Sequence, residues 1–183
     1  MTKRIGIISD THGYWDDAYE RYFSSCDEIW HAGDIGNFDV TDKLNKIAPL
    51  KAVYGNIDNN EIRQEFPEDI YFELNNQKIM MTHIAGKLGN YYSNCQNKIS
   101  SYNPSILLCG HSHICKVAYD KKYKLLYINP GAAGIIGFHK VRTILRMEIT
   151  EKTIENLEVI ELIRKRKLSL SLIHISEPTR HHV

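Results

Sequence analysis

The chain has few of the features that mark secreted, membrane-spanning or nucleic-acid-binding proteins. The apolar run nearest its amino terminus, Ile5 to Ile8, is too short for a signal-peptide core or a membrane span, so we expect a cytoplasmic protein with no membrane partner. Lysine and arginine number 23 against 22 aspartate and glutamate residues, a net charge of +1. Because no global field favours a nucleic-acid backbone or an anionic membrane, any charge selectivity must come from a local site.

Cysteine and proline are also scarce. The 4 cysteines, Cys26, Cys95, Cys109 and Cys115, lack C-x-x-C spacing, which argues against a disulfide framework or a structural zinc site and predicts reduced, mostly buried thiols. The 5 prolines mark no linker, and no internal repeat is visible. With 43% hydrophobic residues, the chain has enough apolar side chains for one core, and we predict a single domain over residues 1–163.

Residues 164–183 are set apart from this domain. They begin with a basic run, RKRK, and residues 170–180, LSLIHISEPTR, look like the translation of a sequencing-library adapter. We therefore interpret the segment as a basic tail followed by a non-native extension. Its histidines, His174, His181 and His182, are excluded as ligands, which leaves six histidines for the domain.

The first third of the chain alternates strand-like and helix-like segments. Short β-branched runs over residues 4–9, 28–32 and 50–54 are separated by helical patterns over residues 14–25 and 39–47. This order predicts neighbouring parallel strands, whose ligands bind at the carboxyl ends. Asp10, His12, Asp34 and Asn56 follow these strands, so we expect them to converge.

The rest of the domain is richer in strands. A hairpin is predicted over residues 70–74 and 78–82, a helix over 93–102, a strand over 105–109, and further strands over 117–119, 125–128, 141–149 and 153–162. Because so many strands cannot fit one sheet, we predict two packed sheets with helices outside. The expected fold class is an α/β four-layer sandwich, α/β/β/α, of two mixed sheets.

Oxygen and imidazole side chains follow five separate strand-like runs. This donor chemistry suits Mn²⁺, Fe²⁺, Zn²⁺ or Ni²⁺ better than a metal that prefers thiolate. Glycines precede Asp34, Asn56 and His111, and we expect them to let the backbone turn sharply and approach the ions. The candidate metal ligands are Asp10, His12, Asp34, Asn56, His83, His111 and His113.

In order along the chain, these residues form the patterns D-x-H, G-D, G-N-x-D, H and G-H-x-H. The series resembles the calcineurin-like metallophosphoesterase superfamily. The short loops and Asn129-Pro130-Gly131 look like its small bacterial and archaeal phosphodiesterase branch, of YfcE type.

The resemblance implies a dinuclear site. Asp10, His12 and His113 would hold one ion, Asn56, His83 and His111 the other, with Asp34 bridging them; Asp34, Asn56 and His111 are the catalytic candidates. Two divalent ions, with Mn²⁺ the first expectation, would generate a hydroxide near neutral pH for in-line attack on a phosphate ester. No protein nucleophile is then needed, so Ser9 and Ser112 are expected only to form hydrogen bonds around the ligands.

The sequence departs from the wider superfamily at Ile57, where many members carry a histidine that assists the leaving group. Its absence could cost about 10²–10⁴-fold for poor leaving groups. We therefore expect an activated ester or another proton donor, and the branch resemblance favours diesters. The substrate is expected to be a small phosphate ester.

Several residues have simpler interpretations. Asp58 and Glu61 fit a capping box at a helix start. His31 is expected in the core rather than as a ligand. His139, Lys140 and Arg142 could contact a substrate phosphate or lie in a solvated strand entry. The aromatic residues over 14–23 are expected to pack in the core rather than stack on a base.

Two alternative functions stay open. A phosphomonoesterase or nucleotidase would use the same ligands. The same fold also serves as a non-catalytic protein-binding scaffold in the retromer complex, where the metal site is degraded, whereas all seven ligand types are present here. The chain could also form a homo-oligomer.

Overall fold

The computed structural model describes residues 1–163, and residues 164–183, with the proposed tail and adapter-like segment, lie outside them. Five strands form the first sheet, five the second, and two a small ribbon. The strands are β1 (Lys3–Ile8), β2 (Glu28–His31), β3 (Leu50–Ala52), β4 (Asp69–Leu74), β5 (Gln77–Thr82), β6 (Gly86–Lys87), β7 (Asn90–Tyr91), β8 (Ile106–Leu108), β9 (Cys115–Asp120), β10 (Leu125–Pro130), β11 (Arg142–Ile149) and β12 (Ile154–Leu162). The helices are α1 (Asp17–Phe23), α2 (Phe38–Ile47), α3 (Asn60–Glu65) and α4 (Ser93–Tyr102).

The first sheet has the order β12-β11-β1-β2-β3. Strands β1, β2 and β3 are parallel, as the alternation of strands and helices predicts, with Ile7 opposite Trp30 and Trp30 opposite Lys51. Strand β11 returns antiparallel beside β1, and β12 closes the sheet as an antiparallel edge. Loops at the carboxyl ends of β1, β2 and β3 therefore open at one edge.

The second sheet has the order β4-β5-β8-β10-β9. Strands β4 and β5 form the predicted hairpin, with Asn75 and Asn76 in its turn at φ of +50° and +64°. Strands β5, β8 and β10 are parallel, and β9 runs antiparallel to β10. Parallel strands in both sheets thus end in loops that carry candidate ligands.

The main core lies between the two sheets, where it includes Ile5, Trp30, Ile79, Leu108 and Met147. A second cluster packs α1 and α2 on the outside of the first sheet, and a third packs α4 on the second sheet. The predicted four-layer α/β/β/α sandwich is confirmed. No helix among residues 1–163 has the length and apolar character needed to cross a membrane.

Element boundaries follow local capping. Helix α1 begins later than predicted from sequence because the Asp16 side chain accepts a hydrogen bond from Ala18 N and caps it. The prediction over 93–102 is confirmed by α4, and α2 begins one residue before its prediction, after the Asn37 cap. None of the four cysteines forms a disulfide within the described part of the chain, and Cys95 and Cys109 are buried.

Candidate metal centre

Hydrogen bonds between backbones hold the ligand-bearing loops against one another. Asp10 N donates to Gly33 O at 3.0 Å, and His12 N donates to Asp34 O at 2.9 Å. Across the two sheets, the His83 ring nitrogen Nδ1 lies 2.7 Å from Ala32 O. The strand ends of both sheets therefore meet at one point, and all seven residues predicted as ligands lie there.

Five of the seven candidate ligands have left-handed backbones. Their φ angles lie between +47° and +68°, a region that costs a residue with a side chain about 1–3 kcal/mol. Each turns the chain at or just beyond a strand end and aims a side chain at the neighbouring loops. The five residues are Asp10, His12, Asp34, His111 and His113.

The glycines before the ligands act mainly by allowing close approach. A Cβ on Gly55 would collide with the Asp34 carboxylate, and one on Gly110 would collide with Ser9 Oγ and lie 2.7 Å from Asp10 Oδ2. Neither glycine has a positive φ. The expected sharp turns are therefore made at these two places by other residues, and the missing side chains make room for carboxylates.

Asp10, His12, Asp34 and His113 form the first cluster, with one ligand atom from each within 4.8 Å of the others. Asp10 Oδ1 lies 3.1 Å from His113 Nε2 and 4.0 Å from His12 Nε2, while Asp34 Oδ2 lies 3.6 Å from His12 Nε2. The Nε2 atoms of the two histidines face each other at 3.3 Å. This arrangement surrounds a space with carboxylate oxygen and imidazole nitrogen.

Asp34, His83 and His111 form the second cluster. Asp34 Oδ1 lies 3.2 Å from His83 Nε2, so the two oxygens of this carboxylate face different clusters. Asn56 joins the second cluster through Oδ1, which lies 3.2 Å from His83 Nε2 and 2.8 Å from His111 Nδ1. The division of residues matches the two ligand sets that the family resemblance implies.

The chemistry of the donor set fits divalent ions. Asp10 Oδ1 is buried and accepts no hydrogen bond from the described residues, although three imidazole Nε2 atoms lie 3.1–4.0 Å away. A buried carboxylate oxygen without a donor is costly, and a cation held among these oxygens and imidazoles would satisfy it.

Charge coupling shifts the pKa values of the cluster. Burial is the largest single influence on the pKa of Asp34 and raises it, but the contact with His83, the Ile57 N–H and the charge of the nearby histidines together bring the pKa below its usual value. Burial is likewise the largest single influence on His83 and lowers its pKa, but the hydrogen bond with Asp34 and the charges of Asp10 and Asp34 together raise the pKa overall. The contact with Asp10 raises the pKa of His113, whereas burial lowers that of His111.

His31 lies in the core behind the cluster, as predicted. Burial lowers its pKa to about 4, which keeps the ring neutral at pH 7. Its Nδ1 accepts the Gly33 N–H at 3.1 Å, so Nε2 carries the proton and donates to Thr11 Oγ1 at 2.9 Å. Thr11 in turn donates to Ile35 O. The chain of hydrogen bonds fixes the loop that carries Asp34.

Asp58 does not cap a helix, so that interpretation is wrong. Helix α3 is capped instead by Asn59, whose side chain accepts from Ile62 N. The buried Asp58 carboxylate accepts three backbone N–H bonds, from Ile35 at 3.1 Å, Gly36 at 2.8 Å and Gly55 at 2.7 Å. It joins the loop after Asp34 to the loop that carries Asn56, a role that local sequence does not reveal.

Arg142 also differs from both sequence interpretations, because it is fully buried. It donates to the Asp16 carboxylate at 2.8 Å and to Ala133 O at 2.6 Å. Gly134, which follows Ala133, lies at the candidate metal centre, where its N–H donates to Asp10 O at 3.0 Å. Lys140 is exposed.

The remaining predictions concern supporting residues. His139 Nε2 lies 2.9 Å from Gly134 O, and its ring packs edge-on against His113. Ser9 Oγ donates to Asp10 Oδ2 at 2.7 Å, and Ser112 Oγ accepts from Asn129 at 3.1 Å, so both hydroxyls take part in hydrogen bonds beside the ligands. Tyr19 and Phe23 pack in the core, as predicted.

A cavity of about 450 Å³ opens beside the second cluster. The residues that line it include the candidate ligands Asn56 and His83, together with Arg63, Tyr92 and Lys98. Arg63 has no carboxylate within 4.0 Å among residues 1–163, and its guanidinium donates to the backbone oxygens of Gly55, Asn56 and Asp58. The cavity can therefore hold a polar organic group next to the candidate ligands.

Comparisons with known proteins agree with this geometry. The family model of the calcineurin-like phosphoesterase superfamily domain matches residues 4–152. A probable metallophosphoesterase of Methanocaldococcus jannaschii is 29% identical over 168 residues, which cover 87% of this chain and 83% of that protein. Another from Methanothermobacter thermautotrophicus is 27% identical over 141 residues, covering 72% of this chain and 77% of that protein.

Solved structures share the fold. A conserved protein of Streptococcus pneumoniae, described as a predicted phosphoesterase, aligns with a TM-score of 0.65 and 22% identity over 88% of this chain and 90% of that one. Vps29 of Chaetomium thermophilum aligns with a TM-score of 0.71 and 15% identity over 87% and 97%. The family match covers most of the chain and includes every candidate ligand. The chain therefore belongs to the calcineurin-like phosphoesterase superfamily.

Proposed function

We propose that this protein is a dinuclear metal-dependent phosphodiesterase. The observation that carries the proposal is Asp34, whose two carboxylate oxygens face two separate clusters of imidazoles. A carboxylate in this position is suited to bridge two ions. The buried oxygen of Asp10, which lacks a hydrogen bond, supports a cation in the first cluster.

In this proposal, Asp10, His12 and His113 would hold one ion, Asn56, His83 and His111 would hold the other, and Asp34 would serve both. Two divalent ions, when bound, neutralise a phosphate ester and activate water near neutral pH. The protein contributes by orienting its ligands. His83 is oriented by Ala32 O, and Asp10 Oδ2 accepts from Ser9 and from His111 N. We propose Mn²⁺ as the native ion and the cytoplasm as the location.

Ile57 bears on the choice of substrate. Its backbone N–H donates to Asp34 Oδ1 at 3.0 Å, and its side chain is exposed beside the centre. An alkyl group cannot protonate a leaving group, so esters of acidic alcohols should react fastest. The cavity beside Asn56 and His83 gives an organic group a place next to the ligands, and this supports a diester.

The test is hydrolysis by the full chain with added Mn²⁺. We expect release of 4-nitrophenolate from bis(4-nitrophenyl) phosphate to exceed release from 4-nitrophenyl phosphate. The monoester differs from the diester by an additional negative charge and one organic group fewer. Faster hydrolysis of the monoester than of the diester would favour the phosphomonoesterase or nucleotidase alternative. No turnover of either ester with any divalent ion would contradict an enzymatic function.

A non-catalytic scaffold is the second candidate. It is suggested by the likeness to several Vps29 structures, one of them from Entamoeba histolytica with bound zinc, at 16% identity and a TM-score of 0.67. The same hydrolysis assay separates the two candidates, because a scaffold would bind metal without turning over either ester.

A further inference from the structure

Exposed apolar side chains surround the candidate metal centre. Three ligands are each followed by an exposed isoleucine, namely Ile57 after Asn56, Ile84 after His83 and Ile114 after His113. Exposed apolar residues scattered singly are ordinary, but a group of them at a polar centre marks a binding surface.

The loop over residues 134–141 extends this group on the His113 side. Gly134 N donates to Asp10 O, and the His139 ring packs against that of His113 with centroids 5.2 Å apart, so both ends of the loop lie at the centre. Between them, Phe138 is fully exposed and Ile136 is 55% exposed. None of Ile114, Ile136 and Phe138 belongs to a core cluster of the described residues.

We propose that Ile114, Ile136 and Phe138, here called the apolar rim, form a subsite for an apolar organic group of the substrate. The inference rests on the proposed function and adds a substrate class to it: phosphodiesters with one alkyl or aryl half. The occupant follows from the neighbouring chemistry, because a cluster suited to hold cations binds the phosphate while the rim beside it offers only apolar contact.

The two sides of the centre differ in polarity. On the Asn56 and His83 side, the cavity walls carry charges of both signs, from Arg63, Lys98 and Glu68, and Lys98 is paired with Asp69. Less polar side chains line the same cavity, namely Tyr54, Ile84 and Tyr92. On the His113 side, the three rim side chains are uncharged, and the exposed Lys140 lies two residues after Phe138. In this proposal, the apolar half of the diester lies on the rim, and the other half, which can carry charge, lies in the cavity.

The experiment measures binding rather than turnover. The probes are the monomethyl esters of ethyl-, butyl- and hexylphosphonate, titrated calorimetrically into the full chain with Mn²⁺. Full burial of a methylene strengthens binding about fourfold, and contact on one side strengthens it about twofold. We expect the hexyl probe to bind about 16-fold more tightly than the ethyl probe, because it has four more methylenes.

The variants Phe138→Ser and Ile136→Ser should each reduce this ratio to about fourfold or less. Tyr119→Ser is the matched control, since Tyr119 is 60% exposed near the opposite end of β9, and it should keep the wild-type ratio. The ethyl probe, with the smallest apolar part, reports whether each variant still binds the phosphonate. Equal ratios in wild type and both rim variants would overturn the proposal.

Sedimentation velocity tests the competing occupant. The wild type could be a dimer and Phe138→Ser a monomer, with the same ratio of hexyl-probe to ethyl-probe affinity in both. In that case the rim binds a second copy of the protein, and the proposal is wrong. Hydrolysis of bis(4-nitrophenyl) phosphate is measured separately. If hydrolysis is absent but the hexyl probe still binds more tightly than the ethyl probe, the proposed function is rejected and the subsite stands. If hydrolysis occurs but affinity does not depend on the length of the alkyl group, only the subsite is rejected.

Discussion

Asp34 differs from the other candidate ligands because its side chain belongs to both clusters. Its Oδ1 faces His83 and also accepts the Ile57 N–H, while its Oδ2 faces His12. A change at this side chain should therefore disturb two ions, whereas a change at any other ligand should disturb mainly one.

The variant Asp34→Asn should bind Mn²⁺ more weakly and lower hydrolysis of bis(4-nitrophenyl) phosphate by at least about 100-fold, the upper end of losses for residues that only support a ligand. Ser112→Ala removes a hydroxyl that accepts from Asn129 and should cost less than about 10-fold. Equal losses in both variants would contradict the ligand assignment.

Asp58 shows how a residue outside the ligand set can hold it together. Asn at position 58 has one acceptor oxygen in place of two, so it cannot accept from Ile35, Gly36 and Gly55 as the carboxylate does. We expect Asp58→Asn to lower the free energy of unfolding by about 2 kcal/mol in urea denaturation. The control Glu61→Gln, at an exposed position of α3, should change it by less than about 0.5 kcal/mol.

At the scale of elements, the hairpin of β9 and β10 is closed by Asp120. This buried carboxylate accepts the Tyr91 hydroxyl at 2.7 Å and the backbone N–H groups of Lys122 and Tyr123. Burial alone would raise the pKa of Asp120, but these hydrogen bonds lower it below its usual value. The hairpin is therefore stabilised by the ionised carboxylate.

The lowered pKa of Asp120 predicts how its contribution to stability depends on pH. Because the folded pKa lies below the unfolded value of about 3.9, the contribution of Asp120 is full above that pH and is lost as pH falls through the folded pKa. The stability difference between wild type and Asp120→Asn should therefore shrink below about pH 4. Tyr91→Phe, which keeps the carboxylate but removes its hydroxyl donor, should lie between them; identical acid-unfolding profiles would contradict this account.

At the scale of the whole molecule, Arg142 joins segments far apart in sequence. Its guanidinium contacts Asp16, the Tyr19 hydroxyl, Ala133 O and Ile163 O, and so links the start of α1, the loop behind the metal centre and the chain after β12. A buried charge whose partners are all present contributes little net free energy to stability, but its removal leaves several acceptors without a donor.

We expect Arg142→Met to lower the free energy of unfolding by about 3 kcal/mol, measured by urea denaturation. The exposed Arg21 provides the control, since its guanidinium lies over the Tyr22 ring at the surface, and Arg21→Met should change stability by less than about 0.5 kcal/mol. A similar loss in both variants would show that the burial of Arg142 has no special effect.

The α/β sandwich and the succession of most strands along the chain could be predicted from the amino-acid sequence, because apolar runs ending in polar residues are local patterns that survive in the fold. The order of strands within each sheet could not. The sequence also indicated the seven candidate ligands, since oxygen and imidazole side chains after strand ends have a recognisable chemistry. Their grouping came from a resemblance to a family, and the tertiary structure places the same groups together.

How these ligands are held depends on contacts that the local sequence does not show. The left-handed backbones of Asp10 and Asp34, the three amides bound by Asp58 and the burial of Arg142 depend on contacts between residues distant along the chain. Local patterns assigned Asp58 to a helix cap, and Arg142 to a substrate contact or a solvated strand entry, because neighbouring residues allowed these interpretations. The long-range partners decided otherwise, since a buried carboxylate or guanidinium is stable only where donors and acceptors from other loops converge on it.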